Sequence, residues 1–150
     1  MKGGLHRLRS VWLLPMLVLL AVFFYRCDKS ARVDLVNIPD DNFLSGLIAS
    51  GVDSDRDRQI SYQEARATRS IVLPPSGISD LTGLEAFIHL DSFSITLNPL
   101  HSIDISANIS LRYLSCTSCG NQLTKLDISN NAALLLVGFD NTPMLTEVCV

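Results

Sequence analysis

The chain has 150 residues, 47% of them hydrophobic, so it is long enough for one modest folded domain and too apolar for disorder to be the default. Lys2, Arg7, Arg9 and Arg26 are four of its 12 bases, which leaves residues 27–150 with eight bases against 15 acids, a formal charge of −7. So acidic a body repels phosphate backbones, which excludes nucleic acid as a natural partner.

Residues 1–26 have the layout of an export signal or membrane anchor. Lys2, Arg7 and Arg9 make a basic start, and residues 11–25 form an apolar run interrupted by Pro15. Such a run has the length of a secretory core and is short for a bilayer span. Cys27 follows directly, where a lipoprotein carries its lipidated cysteine, although Tyr25 and Arg26 stand where small residues are usual. Lipidation at Cys27 and an uncleaved anchor are the two expectations. Both put the body outside the cytoplasm, attached to a membrane through the N-terminal segment or a lipid.

Residues 27–37 read as a short polar linker. Residues 38–51 then read as a helix, with Asp40 or Asp41 as its cap, Phe43, Leu44, Leu47 and Ile48 as an apolar stripe, and Gly51 as its stop. A shorter helix begins near Ser61, because Ser61 and Glu64 have the capping-box spacing.

Between the two helices lie Asp53, Asp55, Asp57, Gln59, Ser61 and Glu64. This spacing resembles an EF-hand loop of the single-loop kind also found in dockerin-like segments. The resemblance implies calcium held by the carboxylates of Asp53, Asp55 and Asp57, the carbonyl of Gln59, Ser61 directly or through water, and Glu64 as a two-oxygen ligand. One position departs from the pattern: Arg58 stands where the loop normally has Gly, because the backbone turns there through φ > 0. A side chain in that conformation costs about 1–2 kcal/mol. Arg56 and Arg58 also offset part of the carboxylate charge, so the expected affinity falls to the weak extracellular range, roughly millimolar. The alternative is a plain connection with solvated carboxylates.

From Ile71 onward the helical period gives way to a repeat. Leu90, Phe93, Ile95, Asn98, Leu100, Ile103, Ile105 and Asn108 set the first copy. Leu111, Leu114, Cys116, Cys119, Leu123, Leu126, Ile128 and Asn131 follow in register, with Gly120 and Asn121 as a two-residue insertion. Leu134, Val137, Phe139, Thr142, Leu145, Val148 and Val150 make the third copy. These columns resemble the leucine-rich-repeat superfamily, in its short bacterial class of about 21 residues. The preceding stretch, with Ile71, Leu73, Ile78, Leu81, Gly83, Leu84 and Leu90, is similar to an internalin-like repeat. With the acidic loop ahead of it, the layout looks like surface proteins of Bacteroidetes-type bacteria.

The resemblance implies an α/β repeat solenoid, a leucine-rich-repeat stack of short parallel strands over residues 71–150. Residues 38–70 would be its helix-loop-helix cap, with Phe43, Leu44, Leu47, Ile48, Tyr62 and Ala65 covering the first coil. Physical reasoning leads to the same place: one coil cannot bury its apolar edge alone, and stacked coils share a core. An inward asparagine satisfies backbone groups of the tight bend that a leucine would leave unpaired. Cys116 and Cys119 fall on repeat positions, where a small apolar thiol fits. A disulfide between them is the alternative. A zinc or redox site would need a second ligand pair or a helix N-terminus.

Strand residues that do not point inward line one exposed face. Ser92, Tyr113 and Leu136 form one column and Asp91, Arg112 and Leu135 the next, with Tyr113 and Leu136 as the anchors for a protein or surface ligand. No catalytic constellation is legible: His89 and His101 lack a partnered nucleophile, and Asp104 and Asp127 recur with the repeat as bend residues. The expected function is a non-enzymatic interaction or adhesion module on the bacterial cell envelope. The alternative is a structural spacer or N-terminal part of a larger surface protein, since Val148 and Val150 read as a strand edge with no polar cap after it.

Overall fold

The computed structural model describes residues 34–119 and 122–150. The expected export segment, Cys27, the start of the linker and the insertion at Gly120 and Asn121 lie outside the described residues. Asp34–Val150 forms one compact unit.

Helix α1 spans Asp41–Ala49. It is shorter than the 38–51 read from the sequence, for a local reason at each end. Pro39 biases the residue before it toward extended backbone, and Asp40 is an extended N-cap. At the other end Ser50 closes the helix, and Gly51 follows at φ +81°. One carboxylate oxygen of Asp40 accepts the N–H groups of Asn42 and Phe43 at 2.9 and 3.0 Å. The other accepts from Ser79 N, Ser79 Oγ and Asp80 N at 2.9, 3.1 and 3.1 Å. One side chain therefore starts the helix and ties it to the coil that follows β1.

Helix α2 spans Tyr62–Ala67, and the Ser61–Glu64 capping box forms in both directions. Part of the expected linker is folded: Leu35 bridges Ser61 antiparallel, Val36 N donates to Ile60 O at 2.8 Å, and Val36 is buried. Phe43, Leu47 and Ala65 are wholly buried, and Leu44 and Ile48 pack beside them. Tyr62 instead lies outside, with the Arg66 guanidinium 5.8 Å above its ring.

The coils follow. Strands β1 (Ser70–Leu73), β2 (Ser92–Thr96), β3 (Tyr113–Thr117) and β5 (Leu136–Asp140) form a parallel sheet in the order β1-β2-β3-β5. Strands β4 (Lys125–Asp127) and β6 (Glu147–Cys149) pair in a second, two-stranded parallel sheet. Skipping β4 in the first sheet is the signature of a solenoid, since each coil contributes one strand and then returns on the other side. The stack has about four turns.

The register aligns the inward rows. Ile71, Phe93, Leu114 and Val137 pair in one row, and Leu73, Ile95, Cys116 and Phe139 in the next. Leu90 and Leu111 begin their coils fully buried, as do Leu100 and Leu123 further along. Each such side chain contributes about 1.5–3 kcal/mol by leaving water. Burial falls in the last coil, which has a neighbour on one side: Val148 is 49% exposed where Leu126 is 0%.

Two features make the bends. Leu97, Ser118 and Asn141, the residues that follow β2, β3 and β5, all take left-handed backbone at φ 52°, 54° and 53°. Inward asparagines bridge successive coils. Asn108 Nδ2 donates to Leu84 O and Phe87 O, both at 3.0 Å. Asn131 Nδ2 donates to Ile105 O at 2.9 Å and Asn108 O at 3.1 Å. Gly83 sits at φ +106° in the turn before a single 3-10 turn, Leu84–Ala86, where a Cβ would stand 2.7 Å from Ile38 Cγ1.

Candidate functional site

The exposed face of the four-stranded sheet is built by register. Ser70, Ser92, Tyr113 and Leu136 pair across it in one column, and Val72, Ser94, Ser115 and Gly138 in the next. The columns exist because side chains alternate along each strand, so every inward row implies an outward one. Asp91, Arg112 and Leu135 precede their strands and are bound to one another through the backbone. Arg112 N and Tyr113 N donate to Asp91 O, and Leu135 N and Leu136 N donate to Arg112 O, at 2.9–3.2 Å.

Large apolar groups are exposed together at the β3–β5 side of this face. Tyr113 is 44% exposed, Leu135 64% and Leu136 62%. The Arg112 guanidinium stands 5.8 Å from the centroid of the Tyr113 ring. Among the described residues no ion pair joins Asp91 to Arg112. The six face residues expected from the sequence are thus brought together on one surface. Sequence reasoning missed its extension onto β1, where Val72 is 61% exposed. The signal was present in the alternation of Ile71 and Leu73, which forces Ser70 and Val72 outward.

The acidic loop is held by its own carboxylates. Asp53 Oδ1 accepts Arg56 N at 2.7 Å and Oδ2 accepts Arg58 N at 3.0 Å. Asp55 accepts Asp57 N at 3.1 Å, and Asp57 accepts Gln59 N at 2.8 Å. These bonds draw the chain through a tight turn with Arg56 at φ 65° and Arg58 at φ 68°. Arg58 therefore adopts the left-handed conformation that the resemblance requires at its position. Oxygens of Asp53, Asp55 and Asp57 lie within 4.8 Å of one another.

Glu64 stands outside that trio. Its Oε1 accepts Ser54 N and Oγ at 2.8 and 2.9 Å, and its Oε2 accepts Ser61 N and Oγ at 3.0 and 2.9 Å. Partial burial pushes the Glu64 carboxyl up, but these bonds outweigh it and hold the pKa at about 2. The Asp53, Asp55 and Asp57 trio fits a hard cation: it is all oxygen and anionic, and each of its carboxylate oxygens accepts at most one N–H and keeps a lone pair free. Each Glu64 oxygen already accepts two donors, so Glu64 would join a cation only by releasing Ser54 or Ser61.

Cys116 and Cys119 occupy the repeat positions expected of them, and both are fully buried. The structure also joins them in a disulfide, which corrects the free-thiol reading. The physical reason is proximity: the bend after β3 brings their Cα atoms to 5.5 Å, a spacing that the linear pattern does not reveal. Asp104 and Asp127 behave as bend residues, accepting Ser106 N and Ser129 N at 2.9 Å each. Lys125 and Glu147 form an ion pair at 2.8 Å across β4 and β6, which the sequence reading did not single out.

No family model matches the chain. No curated protein matches it either. Solved structures do. An internalin, InlF from Listeria monocytogenes, is similar over 80% of this chain at 18% identity with a TM-score of 0.54. The functional domain of InlJ from Listeria monocytogenes, described as including a cysteine ladder, aligns over 77% at 24% identity and a TM-score of 0.37. A structure of CBM51-2, in complex with GlcNAc, and INT domains from Clostridium perfringens ZmpB aligns over 63% at 23% identity and a TM-score of 0.45. The chain spans 20%, 33% and 38% of the ZmpB, InlF and InlJ chains respectively. The likeness to InlF supports the fold: this chain is a parallel-strand solenoid of the kind an internalin builds.

Proposed function

We propose that this chain is a non-enzymatic interaction or adhesion module of the bacterial cell envelope, binding a protein or surface ligand through the exposed face of sheet β1-β2-β3-β5. One observation carries the reading: the register sets Tyr113 beside Leu136, both well exposed, with Arg112 and Leu135 adjoining. Aromatic, arginine and large apolar groups dominate interface energies. A face mounted on paired strands is already ordered, so contact costs little further conformational entropy. The internalin-like fold agrees with such a role. Attachment to the membrane would run through residues 1–26 or a lipid on Cys27.

The test is capture from envelope and host-surface extracts by the full chain and by a Tyr113→Ser/Leu136→Ser variant. Both positions are exposed, so the variant keeps its melting temperature. At least a tenfold drop in capture is expected, corresponding to about 1.4 kcal/mol. Equal capture by both would remove the face as the binding site and leave the spacer reading.

The helix-loop-helix acts in this proposal as the cap of the stack, and its loop takes one calcium ion. Asp53, Asp55 and Asp57 would hold it, with the Gln59 carbonyl, Ser61 and Glu64. The ion would neutralise converging carboxylates and stiffen the link between α1 and α2. Thermal melts of the full chain in millimolar calcium and in chelator test this: calcium is expected to raise the midpoint, and an Asp55→Asn variant to lose most of that rise. Superimposable curves for the wild type would dismiss the ion while leaving the cap intact.

A further inference from the structure

Cys116 and Cys119 stand in two different inward rows of one coil. Cys116 pairs in register between Ile95 and Phe139, and Cys119 falls in the row of Asn98. The sulfur of Cys119 lies 3.3 Å from the carbonyl oxygen of Ile95 and 3.9 Å from that of Thr117, which are 24 and 2 residues earlier. Asn98 Nδ2 donates to the carbonyls of Pro74 and Thr96, also 24 and 2 residues earlier, at 3.1 and 2.8 Å. The offsets are the same, so Cys119 occupies the place of the donor that links one coil to the one before. A donor needs a proton. A thiol carries one and a disulfide sulfur does not.

We propose that Cys116 and Cys119 form a thiol–disulfide couple that sets the strength of the link between the β2 and β3 coils. In the dithiol form Cys119 donates to Ile95 O and continues the asparagine row. In the disulfide form that proton is gone, and the end of β3 is tied covalently to its own bend instead. Reduction by a small dithiol breaks the Cys116–Cys119 bond. The reductant supplies two electrons and two protons and leaves as its own disulfide. Oxidation by glutathione disulfide runs the other way and releases two molecules of reduced glutathione. Both sulfurs are fully buried, so exchange waits on local opening of the coil and quickens in mild denaturant. The inference does not depend on what the exposed face binds.

The full chain is equilibrated with glutathione disulfide or with dithiothreitol, then alkylated and digested with trypsin. The peptide spanning residues 113–125 holds Cys116 and Cys119 and no other cysteine. The expected result is a bonded peptide in the first buffer, a doubly alkylated one in the second, and wild-type melting midpoints that differ by about 3 °C or more. A Cys116→Ser variant loses the redox dependence. In dithiothreitol, Cys119→Ala melts below the wild type, and Cys119→Asn recovers the loss by restoring a donor. The proposal is overturned if the peptide is never oxidised in folded protein or if the two wild-type midpoints coincide. It fails equally if alanine at 119 is as stable as reduced cysteine. The wild-type measurements need no variant, so a misfolded substitution does not blunt the test.

Discussion

At the scale of single residues, Asp40 does the most with the least. Its two oxygens receive five N–H or O–H donors, two from the first turn of α1 and three from Ser79 and Asp80. Partial burial raises its carboxyl, and the bonds from Ser79, Phe43 and Asp80 outweigh that and bring it below the ordinary 3.8. A carboxyl with a depressed folded pKa contributes stability that is fully present above its unfolded value and is lost as pH falls through the folded one. Asp40→Ala is expected to cost about 2 kcal/mol near neutral pH, the sum of a lost N-cap and a lost tie to the next coil. Urea melts of the wild type and variant at pH 7 and near pH 2 check this, with the gap between them shrinking in acid. A gap independent of pH would mean that packing, not the ionised carboxylate, holds the helix there. The sequence offered Asp40 or Asp41 as the cap and gave no sign of a tether, because Ser79 and Asp80 lie 39 and 40 residues from Asp40 and no local pattern connects them.

At the scale of elements, the strands and the inward rows were legible, and the bends were not. Alternation from Ile71 to Leu73 and from Phe93 to Ile95 marks strands because the side-chain period of a strand is two. The asparagine rows were legible for a similar reason, since an amide repeated in register answers carbonyls repeated in register. The left-handed residue after β2, β3 and β5 left no trace in composition, because Leu97, Ser118 and Asn141 share no chemistry. Their common property is a backbone angle imposed by leaving the sheet. Leu97 is the least suited of the three, with a branched chain in a conformation that disfavours any Cβ, and it is 59% exposed, so little packing offsets the strain. Leu97→Asn, which installs the residue already present at position 141, is expected to stabilise the chain by about 1 kcal/mol. A rise in the urea midpoint at unchanged slope is the confirming result. An unchanged or lower midpoint would show that the exposed leucine contributes contacts worth more than the strain.

At the scale of the whole stack, stability is a sum of coils and of the interfaces between neighbouring coils. The coil of β2 has neighbours on both sides, and Phe93, Ile95, Leu100 and Ile105 are at most 1% exposed. The last coil has one neighbour, its inward Val137, Phe139 and Leu145 are only partly buried, and Val150 is 91% exposed. Opening that coil exposes little surface that is not already wet, while opening the β2 coil breaks two interfaces. Amide hydrogen exchange should therefore be graded along the stack, slowest in β2 and β3 and fastest in β5 and β6. Asp34–Val150 is one compact unit, but a linear stack of this kind has no interaction that makes its last coil open only with its first. Exchange in dilute protein tests the gradient. Uniform protection would mean that a further contact covers the apolar edge of β5 and β6. Repeating the measurement over a range of concentrations would then separate self-association, whose protection weakens on dilution, from a fold more cooperative than nearest-neighbour coupling allows.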